Sequence, residues 1–368
     1  MLDPRKGGAV PTGQIIILLA VALVTALFIT PLSSRLARRI GAVDHPDHRK
    51  SHSEPTPRLG GLGIAAALLL PLLLFFDSEP MAVAFLAGGL IAVATGFIDD
   101  IVSVRPRYKF SGQILAVAAF LILGGPSLTS FGDLLGFGAI DLGPFGILLT
   151  FVCIVGVMNA VNLIDGLDGL AGGLSFIASI FLGIFALHLG DWLCLTIAVL
   201  LAGSLLGFLY YNIFPAKLFM GDTGSLLLGY SLAAMAVMLV ESNGGEETLS
   251  IAPVSMALIV ALPVVDMFQV MARRILHGES PFSPDKNHLH HRIVAMGAPK
   301  SVAVTIMCLL MTTFGLLAIA MRDMPDYMQF GAGVIFSILL LTLVLYGRKL
   351  GIRWPLGAKT AEAESPGN

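Results

Sequence analysis

The chain has few charged residues. Asp, Glu, Lys and Arg together make up 12% of its 368 positions, whereas 56% of the positions are hydrophobic. One soluble core could not cover that much apolar surface, and the mean hydropathy is high at +0.87. The composition therefore excludes an ordinary soluble enzyme and predicts a polytopic membrane protein. The net charge of −2 gives no reason to expect nucleic-acid binding.

Cysteine is scarce as well. Cys153, Cys194 and Cys308 each lie within an apolar run, where a cysteine usually packs as a small buried hydrophobic residue. We therefore expect neither a disulfide nor a metal role for them. A Gly-Lys-Ser/Thr triplet is also absent, which excludes a P-loop. The glycines of "PRLGGLGI", which begins at Pro57, instead indicate close helix packing.

About eleven runs of mostly apolar residues are long enough to cross the roughly 30 Å membrane core as helices. With the N-terminus outside, every Lys and Arg except Arg5, Lys6 and Arg322 falls on the cytoplasmic side, and the positive-inside rule favours that orientation. The predicted fold is an all-α polytopic membrane protein with a cytoplasmic C-terminus. The predicted spans lie at about 14–32, 59–76, 81–98, 110–125, 144–162, 169–187, 192–211, 224–240, 249–272, 302–320 and 328–346.

The spans define the predicted domain organisation. Residues 1–13 form an external N-terminus, 14–346 a single transmembrane catalytic domain with cytoplasmic active-site loops, and 347–368 a disordered cytoplasmic tail. A longer external stretch at 126–143, in which glycines separate short apolar pieces, predicts a small hairpin.

Polar side chains gather at the cytoplasmic ends of the spans. An isolated carboxylate at the bilayer centre costs about 2.5–3.5 kcal/mol, so carboxylates are expected at the surface or beside a partner. The predicted topology places all of these polar side chains on the cytoplasmic face of the membrane. They would there form a site that a water-soluble substrate can reach. The cluster comprises Asp99, Asp100, Asp165, Asp168, Asp222, His288, His290 and His291.

The stretch "NAVNLIDGLDGLAGG", from Asn159 to Gly173, is the densest polar segment. Asn159, Asn162 and Asp165 recur every third residue and are predicted to share one face of the last helical turns. Gly166 then permits the chain to bend, and Asp168 follows in the turn. A helix cap explains one such residue but not four.

Other motifs leave two interpretations open. Asp222 in "FMGDTGSL" is either the N-cap of the next span or a carboxylate that meets a phosphate and its metal. Asp99 and Asp100 are a solvated helix end or a pair held by a nearby cation. Asp266 forms a helix–helix hydrogen bond or has a functional role. The segment "SPFSPDKNHLHHRI", which includes Lys286, favours anion binding over zinc because no cysteine or carboxylate completes a closed site.

Four of these motifs, "GFIDD", "NAVNLIDGLDGLAGG", "FMGDTGSL" and "PDKNHLHHR", resemble in this order the polyprenyl-phosphate N-acetylhexosamine-1-phosphate transferases. The resemblance runs from about Gly41 to Arg292. It implies transfer of a sugar-1-phosphate from a UDP-sugar to a membrane polyprenyl phosphate, with release of UMP. It also implies a requirement for Mg²⁺, for which Mn²⁺ can substitute, and it allows a homodimer.

The "HLHHR" segment resembles the branch that uses UDP-GlcNAc and undecaprenyl phosphate in the bacterial inner membrane, with its site on the cytoplasmic face. The peptidoglycan branch, which uses UDP-MurNAc-pentapeptide, carries three consecutive histidines, whereas Leu289 interrupts them here. That branch also has a lysine where this chain has His52 and Ser53. It remains an alternative. A secondary transporter of an anionic solute and a membrane zinc hydrolase are alternatives from other classes.

The resemblance also implies roles for individual residues. Asp222 and Asp165 are the expected metal ligands, with Asp222 also catalytic, and Asp99 or Asp100 would position or deprotonate the lipid phosphate. The base role is modest because a phosphate monoester with a second pKa near 6 is already mostly dianionic at pH 7. The expected substrate-binding residues are Asn162, Asp165, Asp168, Asn212, Phe219, Lys109, His288, His290, His291 and Arg292.

Overall fold

The computed structural model describes residues 12–44, 55–75, 79–242, 251–280 and 287–346. The predicted tail at 347–368 and most of the predicted external N-terminus lie outside these ranges, as do His52, Ser53 and Lys286. The described chain is mostly helical. Its helices are α1 (Thr12–Ile40), α2 (Gly61–Phe75), α3 (Pro80–Val102), α4 (Pro106–Ile122), α5 (Phe145–Ile164), α6 (Leu170–Leu189), α7 (Trp192–Asn212), α8 (Gly221–Glu241), α9 (Pro253–Ile259), α10 (Ala261–Leu276), α11 (Leu289–Ala295), α12 (Lys300–Met321) and α13 (Asp326–Tyr346).

The structure confirms an all-α polytopic membrane protein, and a helix covers each predicted apolar run. Within the described ranges, eight helices are long and apolar enough to cross a membrane: α1, α3, α5, α6, α7, α8, α12 and α13. The run predicted at 249–272 is instead the bent pair α9 and α10, which turns by 78°. Pro263 lacks the N–H that would bond to Ile259, the last residue of α9, and this explains the break. Counting the bent pair gives up to nine spans.

Helix α8 is the centre of the bundle. It packs mainly against α3 and α5, and also against α2 and α6, which explains why its sequence is apolar around its whole circumference. Gly61 of α2 meets Gly224 of α8 so closely that a Cβ on Gly61 would collide with the backbone. The glycine-rich start of α2 therefore serves close helix packing, as the sequence indicated.

Two short hairpins mark opposite ends of the bundle. The predicted hairpin at 126–143 is confirmed as a single antiparallel bridge between Ser130 and Asp141. At the other end, β1 (Val43–Asp44) pairs antiparallel with β2 (Thr56–Pro57). The Pro57 carbonyl accepts a hydrogen bond from Phe219 N at 2.8 Å. This second hairpin therefore adjoins the segment that leads into α8.

Candidate active site

The ends of α3 and α5 and the beginnings of α4 and α8 meet at one end of the bundle. Lys109 of α4 contacts the carboxylate of Asp222 on α8, and its Nζ lies 3.0 Å from Asn162 Oδ1 and 3.5 Å from Asp99 Oδ2. Asn162 donates to Asp222 Oδ1 at 2.9 Å and to Ser225 Oγ at 2.8 Å. We call Asp99, Lys109, Asn162 and Asp222 the carboxylate cluster. The fold thus brings together four predicted site residues from four helices.

The adjacent carboxylates Asp99 and Asp100 point to different partners, because neighbouring residues on a helix differ by about 100° in direction. Asp99 joins the carboxylate cluster and accepts Val104 N at 2.8 Å. Asp100 is buried and accepts hydrogen bonds from Asp222 N at 2.8 Å and from Thr223 N at 2.9 Å. Asp100 therefore supplies acceptors for the first N–H groups of α8.

The interpretation of Asp222 as a helix N-cap is wrong. The N-cap residue of α8 is Met220, and its side chain makes no capping hydrogen bond. The acceptor for the first turn is Asp100 instead. The Asp222 side chain, which belongs to the first turn, receives hydrogen bonds from Lys109 and Asn162.

The predicted residues Asp168 and Asn212 tie two loops together. Asp168 Oδ2 accepts Ala216 N at 2.9 Å. Asn212 accepts Gly169 N at 3.0 Å and donates to the Leu218 carbonyl at 2.8 Å. These bonds fix the segment that carries the partly buried side chain of Phe219. The side chains of Asp168 and Asn212 thus form these hydrogen bonds with the protein backbone.

Asp165 lies immediately after α5, as its C-cap residue, rather than within the last turn as predicted. Its side chain is partly buried, and within the described ranges it accepts no hydrogen bond. Burial, together with the neighbouring carboxylates of Asp222, Asp100 and Asp168, raises the pKa of Asp165 to about 7. A cation beside Asp165 would relieve this repulsion.

The donor set suits the Mg²⁺ that the resemblance implies. In the part of the chain that the structure describes, no three His, Cys, Asp or Glu side chains form a ready-made metal cage. Mg²⁺ does not need one, because it usually binds one or two carboxylates together with waters and phosphate oxygens. Asp222 and Asp165 repel each other, and a divalent cation beside them would offset that repulsion. The residues therefore fit a magnesium site.

A second group is built around α11. We call residues 287–295, which include α11, the histidine segment. Asp266 of α10 lies 2.8 Å from His288 Nδ1, and its other oxygen accepts Leu289 N at 2.7 Å. Of the two interpretations of Asp266, the structure shows a hydrogen-bonded link between α10 and the histidine segment. Arg292 donates from Nε to the Asn287 carbonyl at 3.1 Å.

His290 connects this segment to the Asp165 turn. It is fully buried, neither ring nitrogen has a hydrogen-bond partner, and a Cβ on Gly166 would lie 2.5 Å from its Nε2. Burial, together with the nearby His291 and His288, lowers the pKa of His290 to about 3, against the opposing effect of Asp266. His290 is therefore neutral at physiological pH and carries no charge with which to attract an anion.

The histidine rings are stacked and do not converge on a point. His288 and His290 are 11° from parallel with centroids 5.8 Å apart, and His290 and His291 have centroids 4.2 Å apart. His291 and Arg292 are partly buried. This arrangement does not resemble the tetrahedral ligands of a zinc ion.

Several residues near the site were not predicted from the sequence. Gln113 exchanges hydrogen bonds of 3.2 and 2.8 Å with Asn159, and Thr223 donates its hydroxyl to Asp100 at 2.6 Å. Arg58 pairs with Asp44 across the β1–β2 hairpin. Gln113 follows Lys109 by one helical turn, so its position on the site-facing side of α4 could have been inferred.

Comparisons with known proteins agree with the motifs. Residues 82–240 match the sequence profile of glycosyl transferase family 4. A probable undecaprenyl-phosphate N-acetylglucosaminyl 1-phosphate transferase of Bacillus subtilis is 35% identical over 334 residues, which cover 90% of each chain. A decaprenyl-phosphate N-acetylglucosaminephosphotransferase of Mycolicibacterium smegmatis is 35% identical, with 93% of this chain and 91% of that protein covered. The undecaprenyl-phosphate alpha-N-acetylglucosaminyl 1-phosphate transferase of Escherichia coli K12 is 30% identical, covering 92% of this chain and 91% of that enzyme.

Proposed function

Because the chain belongs to glycosyl transferase family 4, with the bacterial undecaprenyl- and decaprenyl-phosphate N-acetylglucosamine phosphotransferases, we propose that it transfers GlcNAc-1-phosphate from UDP-GlcNAc to undecaprenyl phosphate. UMP is the second product. This reaction is the first membrane step of cell-surface glycan synthesis. The observation that carries the proposal is the gathering of carboxylates, Lys109 and the histidine segment at one end of a membrane bundle.

The chemistry exchanges one phosphorus–oxygen bond for another. An oxygen of the lipid phosphate becomes bonded to the β-phosphorus of UDP-GlcNAc. The bond from that phosphorus to the bridging oxygen breaks, and this oxygen leaves on UMP with the electron pair. Both substrates are anionic, so cationic groups must bring them together and stabilise the charge that develops on the oxygens. No proton transfer is essential, because the lipid phosphate is mostly dianionic at pH 7.

We assign the magnesium ion to Asp222 and Asp165. When bound, Mg²⁺ would neutralise phosphate oxygens and orient them for transfer. Lys109 would remain close to the same oxygens as a second cationic group. Asp99, whose carboxylate faces Lys109, is the better candidate to orient the lipid phosphate, since Asp100 is committed to the first turn of α8.

The remaining predicted residues would bind the nucleotide sugar. Phe219 would stack on uracil, and Asn162 would hold the donor phosphate beside Asp222. Asp168 and Asn212 would maintain the loop that presents Phe219. In the histidine segment, His291 and Arg292 would bind the diphosphate and His288 would contact the nucleotide sugar, whereas His290, which is fully buried, would support them by packing.

The proposed location is a bacterial cell membrane with the site on the cytoplasmic face, where UDP-sugars occur. The uneven distribution of Lys and Arg supports this orientation. Single cysteines placed in the 41–58 and 278–298 loops should react with impermeant reagents only from the cytoplasmic side. Cysteines at 243–245 should react from outside. A histidine segment labelled from outside would contradict the site assignment.

The peptidoglycan alternative differs only in the donor. A direct test compares UDP-GlcNAc with UDP-MurNAc-pentapeptide, using purified protein, undecaprenyl phosphate and Mg²⁺, and follows the lipid-linked product. We expect product with UDP-GlcNAc alone. Product only with the pentapeptide donor would favour the alternative, and no lipid product with any UDP-N-acetylhexosamine would reject the proposed function.

A transporter would need a polar site that both sides of the membrane can reach. Instead, Asp99 lies near the end of α3, Asp165 follows α5, and Asp222 begins α8, all at one end of the bundle. This one-sided placement supports surface chemistry on a soluble donor and a lipid acceptor.

A further inference from the structure

Asp266 is the most deeply buried carboxylate in the described ranges, with 1% of the residue exposed, and the proposed chemistry has given it no role. Both of its oxygens are engaged, one by His288 Nδ1 at 2.8 Å and the other by Leu289 N at 2.7 Å. A buried carboxylate is costly unless donors compensate it. Both of these donors come from the beginning of the histidine segment.

The same face of α10 makes a second contact with the histidine segment. Gln269, three residues after Asp266, donates to the Asn287 carbonyl at 3.0 Å, and Arg292 donates to that carbonyl from the other side at 3.1 Å. Residues three apart on a helix are neighbours on its surface. Asp266 and Gln269 together therefore fix the backbone from which His288 projects.

The contact with Asp266 also decides which nitrogen of His288 is available. A carboxylate only accepts hydrogen bonds, so the ring carries its hydrogen on Nδ1, and Nε2 is left for a ligand. The ring stacks on His290, which abuts Gly166 beside Asp165. His288 is thus joined by packed contacts to the turn that carries a proposed metal ligand.

We infer that Asp266 is a positioning residue that acts through His288. It holds the Nδ1–H tautomer and the ring orientation, so that the lone pair of Nε2 can accept a hydrogen bond from a hydroxyl or amide N–H of the bound UDP-GlcNAc. The buried carboxylate orients the ring and fixes its tautomer, as the buried aspartate does in a Ser-His-Asp triad. The inference rests on the proposed function, because it takes UDP-GlcNAc as the ligand.

A purely structural role for Asp266 makes a different claim, and Asp266→Asn separates the two. The asparagine carbonyl can still accept Leu289 N–H, so the link to the backbone is kept. Its amide group would face His288 Nδ1 as a donor, which forces the opposite tautomer, so that Nε2 carries the hydrogen and can no longer accept one. A structural role predicts nearly normal turnover, whereas a positioning role predicts a loss of about a hundredfold or more in kcat/KM for UDP-GlcNAc.

The test is a double-mutant cycle in the full-length purified protein, with wild type, Asp266→Asn, His288→Gln and the double variant. UMP release with undecaprenyl phosphate gives kcat/KM for UDP-GlcNAc, and thermal unfolding monitors the fold. We expect each single variant to lose about a hundredfold, and the double variant to be no worse than His288→Gln. The matched control is Asp191→Asn, because Asp191 accepts Cys194 N at 2.9 Å at the opposite end of the bundle. It should retain wild-type turnover.

If the two residues act independently, the fold-loss in kcat/KM of the double variant equals the product of the two single losses. That result would overturn the inference, as would normal turnover of Asp266→Asn. Asp266→Glu keeps the charge and should retain more activity than Asp266→Asn, so the reverse order would also contradict a role through His288. The unfolding temperature of each variant shows whether it folds. If Asp266→Asn folds poorly, the activity of Asp266→Glu still tests the role of the carboxylate. If the wild type releases no UMP, the proposed function fails and the inference fails with it. Multiplying losses in an active enzyme reject the inference alone.

Discussion

Thr223 donates two hydrogen bonds to Asp100, from its backbone N–H at 2.9 Å and from its hydroxyl at 2.6 Å. The end of α3 thereby holds the beginning of α8, the helix that carries Asp222. Asp99, one residue earlier, faces Lys109. The two adjacent carboxylates of "GFIDD" therefore have different tasks, and their substitutions should have different effects.

Asp100→Asn should lower stability more than Asp99→Asn does. The amide group would meet backbone N–H groups of α8 that now donate to a carboxylate, and an unsatisfied buried donor costs about 1–3 kcal/mol. Asp99→Asn removes the charge of a partly buried side chain that lies 3.5 Å from Lys109 Nζ, while its amide oxygen can still accept Val104 N, so its unfolding temperature should change little while turnover falls. Thermal unfolding and UMP release measure both effects. Equal destabilisation by the two variants would contradict this division.

Gly96→Ala should damage the site through the backbone. A Cβ at Gly96 would collide with the carbonyl and adjoining backbone of Asp222, so α3 and α8 must separate, at a typical overpacking cost of about 1–3 kcal/mol. We expect a lower unfolding temperature and reduced turnover. Gly156→Ala in α5 is the matched control, because a Cβ there meets nothing within 4 Å. Similar losses for both variants would show that the close approach is not responsible.

Lys109→Met should make stability more dependent on Mg²⁺. Lys109 neutralises Asp222 and lies near Asp99; without it, the carboxylates lack a counter-charge, and the lost charged hydrogen bonds correspond to about 1.5–3 kcal/mol. The variant should unfold at a lower temperature in EDTA and gain more from added Mg²⁺ than the wild type. Lys217→Met changes an exposed lysine and should behave as wild type. An unchanged response of Lys109→Met to Mg²⁺ would argue against a cation site beside Asp222.

Asp165 should make stability fall as pH rises. Its pKa is raised to about 7 in the folded protein, by burial and by nearby carboxylates, from about 3.9 in the unfolded chain. Between these values the folded state binds more protons, so the free energy of unfolding decreases with pH across this window. In EDTA, the unfolding temperature of the wild type should fall between pH 5 and about pH 8, and Asp165→Asn should lose less. Added Mg²⁺ should recover more stability at pH 8 than at pH 6. A wild type and variant with parallel pH profiles would contradict the shift.

Local sequence patterns predicted the residues that gather at the site but not all of their contacts. Polar residues in otherwise apolar runs indicated Asn162, Asp165 and Asp222, because burying such groups needs a reason. The role of Asp100 depends on how α3 crosses α8, and no local pattern records that crossing. The hydrogen bonds of Asp168 and Asn212 to loop backbone are likewise tertiary contacts.

The count of spans shows a different limit. Hydropathy predicted one straight span at 249–272 because it depends only on composition. It cannot detect a change in the direction of the helix axis, such as the 78° bend found here. Pro263 was visible in the sequence and is the residue type that interrupts a helix. Pro31 and Pro71, however, lie inside the helices α1 and α2, so a proline alone does not distinguish a broken helix from a continuous one.

In the proposed reaction, the β-phosphate leaves UDP-GlcNAc together with the sugar. UDP-GlcNAc labelled with phosphorus-32 at the β-position, incubated with the purified protein, undecaprenyl phosphate and Mg²⁺, tests this most directly. We predict that the label appears in the lipid fraction, in equal amount to the UMP released, and only when the lipid is present. Release of labelled UDP, with unlabelled sugar on the lipid, would show transfer of the sugar alone and contradict the account.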